Sequence, residues 1–147
     1  MNKALLIISL LVALQNFTFA QIDKSLADIE IIKQKCKEIA DDYADDKISS
    51  AFDKIREIWV LPTDELDYLE KKSIEQINLV ADRFGTCIGN KFVKEQLIED
   101  ILYKVTYVIK FEKHALRLEF IFYNGKGGRW YLNNFKWDDS LKKLFEG

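Results

Sequence analysis

The chain holds one proline, one methionine, one histidine, two cysteines and six glycines in 147 residues. Two cysteines do not make a disulfide-dense scaffold, and a single imidazole, His114, is too little for a His-rich metal site. Positive charge is not in surplus either. Twenty-two Lys and Arg stand against 24 Asp and Glu, a formal net charge of −2, so the composition offers no phosphate-binding surface and implies no nucleic-acid partner. Disorder is excluded by what is abundant: 48% of residues are hydrophobic and 13% aromatic. At this length one domain can bury about two thirds of its unfolded surface and needs no metal to fold.

Catalytic and cofactor motifs are missing as well. Gly-x-Ser-x-Gly, His-Glu-x-x-His, Cys-x-x-Cys and the dinucleotide fingerprint do not occur. Gly125-Lys126-Gly127-Gly128 lacks the spacing and the following helix of a Walker loop and reads as a tight turn. Asp41, Asp42, Asp45 and Asp46 lack the alternating spacing, central Gly and terminal Glu of a calcium loop. No cofactor and no metal are expected.

Residues 1–20 follow the plan of a secretory signal: basic Met1 to Lys3, apolar Ala4 to Leu14, then Gln15 to Ala20 with cleavage expected before Gln21. An apolar core of about eleven residues is too short to span a bilayer, which takes on the order of 20. The expectation is a secreted or periplasmic protein with no stable membrane anchor, whose single domain occupies residues 21–147. Loss of Lys3 makes the mature chain one charge more acidic. The sequon Asn16-Phe17-Thr18 leaves with the signal.

An oxidising compartment makes a bridge between Cys36 and Cys87 conceivable. It would close a loop of about 50 residues and contribute roughly 4 kcal/mol by chain entropy. Two buried free thiols satisfy the sequence equally well. Neither Cys has a basic neighbour that would hold a catalytic thiolate.

Apolar residues recur at gaps of three and four as Ile22, Leu26, Ile29, Ile32, Cys36, Ile39 and Tyr43, which predicts a first helix. Asp45 and Asp46 read as the start of a second, with inner face Ile48, Phe52, Ile55 and Trp59, stopped at Leu61-Pro62. Thr63 is the expected cap of a third, whose inner face is Leu66, Leu69, Ile74, Ile77, Ala81 and Phe84 and whose terminator is Gly85.

Beyond Gly85 the period becomes two and aromatic residues concentrate between Phe92 and Trp137. Three antiparallel strands are predicted: Tyr103 to Phe111, Leu116 to Tyr123 and Arg129 to Trp137. Lys91 to Glu99 reads as a strand or a bent loop. Laying apolar faces together predicts inner rows Tyr107–Phe120–Leu132 and Val105–Phe122–Trp130 and outer rows Thr106–Ile121–Tyr131 and Lys104–Tyr123–Arg129. Alternation breaks at Asn133-Asn134, where a bulge would return Phe135 and Trp137 to the inner face and bend the sheet.

This order of elements, with Leu116-Arg117-Leu118-Glu119-Phe120-Ile121-Phe122-Tyr123, a glycine-bearing turn and Trp130-Tyr131-Leu132-Asn133-Asn134-Phe135-Lys136-Trp137-Asp138-Asp139, resembles the nuclear-transport-factor-2-like superfamily, in particular its small exported bacterial members. The resemblance implies an α+β domain in which three helices pack on a strongly curved, cone-shaped antiparallel sheet; a cystatin-like helix-on-sheet inhibitor is the nearest rival. It also implies that a site would lie inside the cone. Enzymes of that superfamily use an Asp base or a His-Asp pair with a Tyr or a carboxylic acid. Here His114 falls in a hairpin turn, and no carboxylate falls on the inner face of the three strands.

Two functions follow as expectations. The first is a non-catalytic binding domain that holds a small apolar ligand or a protein partner, with Tyr103, Tyr107, Phe120 and Trp130 as ligand-binding residues, a homodimer patch of Thr106, Ile121 and Tyr131 on the outer sheet face and a charged rim that includes Arg117 and Glu119. The second is an isomerase-like or dehydratase-like enzyme with a buried carboxylate base and Tyr103 or Tyr107 as electrophile.

Overall fold

In the computed structural model, which describes residues 22–146, the first helix, α1, spans Ile29–Ala44 and begins later than the periodicity implies. The reason is its cap. Asp28 is extended and accepts the Ile31 N–H at 2.9 Å, so the chain turns helical only after it. Residues 22–28 stay outside the helix, and Leu26 pairs with Trp130 through backbone bonds of 2.7 and 3.0 Å. The signal segment and its cleavage point lie outside the described residues.

Asp45 and Asp46 do not open the second helix as expected. Asp45 caps the C-terminus of α1, Asp46 takes a left-handed φ of 59°, and Lys47 precedes α2, Ile48–Ile58. Trp59 leaves α2 in extended backbone and bridges to Leu132. Helix α3, Thr63–Phe84, starts at Pro62, and Thr63 makes no side-chain cap. Gly85 ends it with a φ of 88°, as expected; a Cβ there would collide with the Glu112 carboxylate.

Four strands follow rather than three: β1, Cys87–Ile98; β2, Leu102–Phe111; β3, Ala115–Asn124; β4, Trp130–Asp138. They form one open antiparallel sheet in the order β1-β2-β3-β4. The protein is thus α+β, three helices and a four-stranded antiparallel sheet. The ambiguous segment after Gly85 is strand β1, an edge with register shifts at Cys87/Gly89 and Phe92/Lys94.

The expected faces hold and the expected rows do not. Inner rows are Tyr107–Leu118–Trp137, Val105–Phe120–Phe135 and Tyr103–Phe122–Leu132. Between β2 and β3 the slip is two residues, which keeps every side chain on its face. Hairpin loops decide this: Phe111 N–H closes on His114 C=O at 2.8 Å, and Gly125 N–H on Arg129 C=O at 2.8 Å across the glycine loop. The bulge falls where alternation breaks. Ile121 pairs with Asn134 and Phe122 with Leu132, leaving Asn133 extra and Phe135 inside.

Phe135 is the centre of the core. Its ring meets Phe120 at 5.1 Å, Tyr43 at 5.9 Å, Phe52 at 6.2 Å and Trp59 at 6.3 Å, joining α1, α2, β3 and β4. Each such ring contributes roughly 1.5–3 kcal/mol by burial.

Candidate functional site

Of the four proposed ligand-binding residues, the structure brings one, Tyr107, to a cavity and buries Tyr103, Phe120 and Trp130 in the core. Phe120 is fully buried against Phe135, and Trp130 is buried beside Tyr103, so both are core side chains. Tyr107 lines an open groove of about 470 Å³ between α1 and the first two strands. One wall is Glu30, Lys33, Gln34 and Lys37 of α1; the other is Phe92 and Glu95 of β1; Val105 and Tyr107 of β2 form the floor.

Each wall has a local cause. Lys33 and Lys37 are one turn apart, beside the buried positions Ile32 and Cys36, so α1 can bury its apolar stripe only by holding both ammonium groups at the groove. On β1, Phe92 and Glu95 oppose Tyr107 and Val105, with the register shift between them bringing both to the inner face. Phe92 remains 44% exposed and meets Tyr107 edge to face at 5.6 Å.

The polar groups are partly engaged. Tyr103 O–H donates to Glu95 Oε2 at 2.6 Å, and Lys33 Nζ lies 3.2 Å from the same oxygen and 3.3 Å from Glu30. The Tyr103 hydrogen bond, then the Lys33 contact, hold the Glu95 carboxyl below its ordinary pKa. Lys37 donates to Asp41 at 2.6 Å. Tyr107 is 6% exposed, its hydroxyl makes no hydrogen bond among the described residues, and burial keeps it protonated.

A carboxylate therefore does stand within hydrogen-bond reach of a tyrosine beside the groove, and it comes from the segment between Phe84 and Ile101 rather than from the three strands with clear alternation; it is 41% exposed, whereas the enzyme alternative calls for a buried one. Its chemistry points away from that alternative as well. A general base works best with a pKa raised toward neutrality, and Glu95 is shifted down and ion-paired.

The outer sheet face differs from expectation in two ways. Arg117 and Glu119 do lie on it, but they are 4% and 5% exposed rather than solvated. Arg117 donates to Glu119 at 2.8 Å and to both Asp138 oxygens at 3.1 and 2.8 Å, while Lys136 lies 3.5 Å from Glu119. The C-terminal segment crosses this row, pinned by Lys94 Nζ to the carbonyls of Leu144 and Glu146 at 3.4 and 2.9 Å. The interface residues Thr106, Ile121 and Tyr131 are not one row. Thr106 pairs with Glu119 and is 1% exposed, Ile121 pairs with Lys104 and Asn134, and Tyr131 pairs with Tyr123. The uncovered apolar row is Ile98, Leu102, Tyr123 and Tyr131.

Cys36 and Cys87 are free thiols. Cys87 lines a cleft with Tyr43 and Phe111, and Tyr43 is two helical turns beyond Cys36, about 10 Å along the axis. A bridge needs Cα atoms within roughly 7 Å. His114 stacks on Phe84 at 4.2 Å in the hairpin turn. The Asp41 and Asp42 carboxylates serve as ion-pair partners of Lys37 and Lys54.

What these features define is an α+β domain with a shallow, aromatic-floored groove between a helix and a sheet edge. Comparison with protein-family models, with curated proteins and with solved structures returns no match in any of the three, so no relative supplies a role for any residue. Among the described residues, no helix is long and apolar enough to cross a membrane.

Proposed function

We propose that the chain is an exported, non-catalytic binding domain of nuclear-transport-factor-2-like build that holds a small apolar ligand in the groove between α1 and β1–β2. Bulges at Asn133 and in β1 support a bent sheet of that kind. One observation carries the function: Phe92, 44% exposed, stands edge to face on the Tyr107 floor of an open groove while the nearby carboxylate is already ion-paired. Phe92→Ala removes a ring that is half in solvent, so the fold persists while ligand affinity falls by about tenfold. Native mass spectrometry of the secreted protein reads the retained ligand and the expected start at Gln21 together. A wild type that carries no ligand and binds no apolar probe rejects the proposal.

A homodimer through the outer face is a second reading, favoured by the apolar row Ile98, Leu102, Tyr123 and Tyr131. Acidic Glu99 and Asp100 flank this row at the β1–β2 turn and basic Lys126 at the β3–β4 turn, both at one end of the sheet. A two-fold axis parallel to the strands sets acid over base across two facing sheets. Sedimentation equilibrium of the wild type should give twice the monomer mass, and Tyr123→Asp with Tyr131→Asp should halve it. A wild type that stays monomeric at high concentration rejects the dimer.

A further inference from the structure

We infer that the ligand of the α1/β1–β2 groove is an amphipathic anion: a flat apolar body on Phe92 and Tyr107, with a carboxylate or sulfonate head toward Lys37 and Lys33. This rests on the groove being the binding site and adds the chemistry of its occupant. Tyr107 carries the inference. The residue is 94% removed from solvent and lines the groove, and its hydroxyl has no protein acceptor among the described residues and is open to the groove, where an anionic head can accept from it in place of water.

The rim agrees in sign. Lys37 spends one N–H on Asp41, and Lys33 spends two on Glu30 and Glu95, so three free N–H donors remain between the two ammonium groups. Glu95 is occupied by Tyr103 and Lys33, and Glu30 stands out in solvent with 83% of its side chain exposed. The groove thus offers donors while the carboxylates around it are engaged: Glu95 by Lys33 and Tyr103, and Asp41, whose charge reaches Tyr107, by Lys37 and Asn90. An anion held by an ammonium group and a phenol gains charge-assisted hydrogen bonds that a neutral ligand of the same shape does not.

A matched pair of fluorescent probes tests this. Anilinonaphthalene sulfonate carries the anionic head, and phenylnaphthylamine is the same body without it. In low salt, wild-type protein should bind the sulfonate about tenfold more tightly than the neutral amine. Tyr107→Phe and Lys37→Gln should each erase most of that difference while leaving the neutral probe's affinity unchanged, and Glu95→Gln, which frees Lys33, should widen it. Phe92→Ala should weaken both probes. Equal affinity for the two probes, with both lost in Phe92→Ala, overturns the anion and leaves the binding domain standing. Failure of both probes to bind at Phe92 removes the binding domain as well.

Discussion

Arg117 is the residue on which most depends outside the aromatic core. It donates to Glu119 and Asp138 in a site that excludes water, so removing it strands a buried carboxylate. Arg117→Met should lower the free energy of unfolding by about 3 kcal/mol. Denaturant titration should also show Arg117→Met with Glu119→Met to be more stable than the single variant, because the second change removes the stranded charge. The Arg117 hydrogen bond holds Asp138 below its ordinary value of 3.8. A lowered folded pKa stabilises above the unfolded value and the benefit disappears as pH falls through the folded one. Asp41 and Glu95 shift the same way, so stability should drop in acid below about pH 4. The cysteines give a second prediction at this scale. Burial pushes the Cys36 thiol up and shields it, whereas Cys87 is half-buried at a cleft. A thiol reagent should label Cys87 in the native protein and both only after denaturation; a chain with no titratable thiol after denaturation would mean a bridge and a rearranged α1–β1 contact.

Among the elements, β1 has the least support. It pairs on one side only, carries two register shifts and leaves Ile88, Phe92, Val93, Leu97 and Ile98 exposed. Its amides should exchange with deuterium well before those of β2 and β3, which have neighbours on both sides. Protection of β1 equal to that of β3 would show that something covers the edge in solution. The same exposure leaves this strand without a sequence signature. An edge strand that buries little needs no strict alternation, so Lys91 to Glu99 shows no clean period. Strands β2 and β3 bury their inner faces under helices and alternate clearly. Helix boundaries shifted for local reasons: the Asp28 side chain stops α1 from reaching Leu26, and Leu26 extends the sheet instead.

For the whole molecule, chain order and apolar period alone were enough for three helices followed by an antiparallel sheet, for the inner and outer faces, and for the bulge at Asn133, because each depends on residues a few positions apart. Tertiary structure decided the register, since loop closure at Phe111–His114 and Gly125–Arg129 sets which residues face each other and a two-residue slip leaves the pattern unchanged. It decided that Arg117 and Glu119 lie beneath the C-terminal segment rather than in water, a burial supplied by residues more than 20 positions away. It also decided the groove. Lys33 and Lys37 come from a helix and Phe92 and Glu95 from an edge strand, and no periodicity within either segment says that the other will lie across from it.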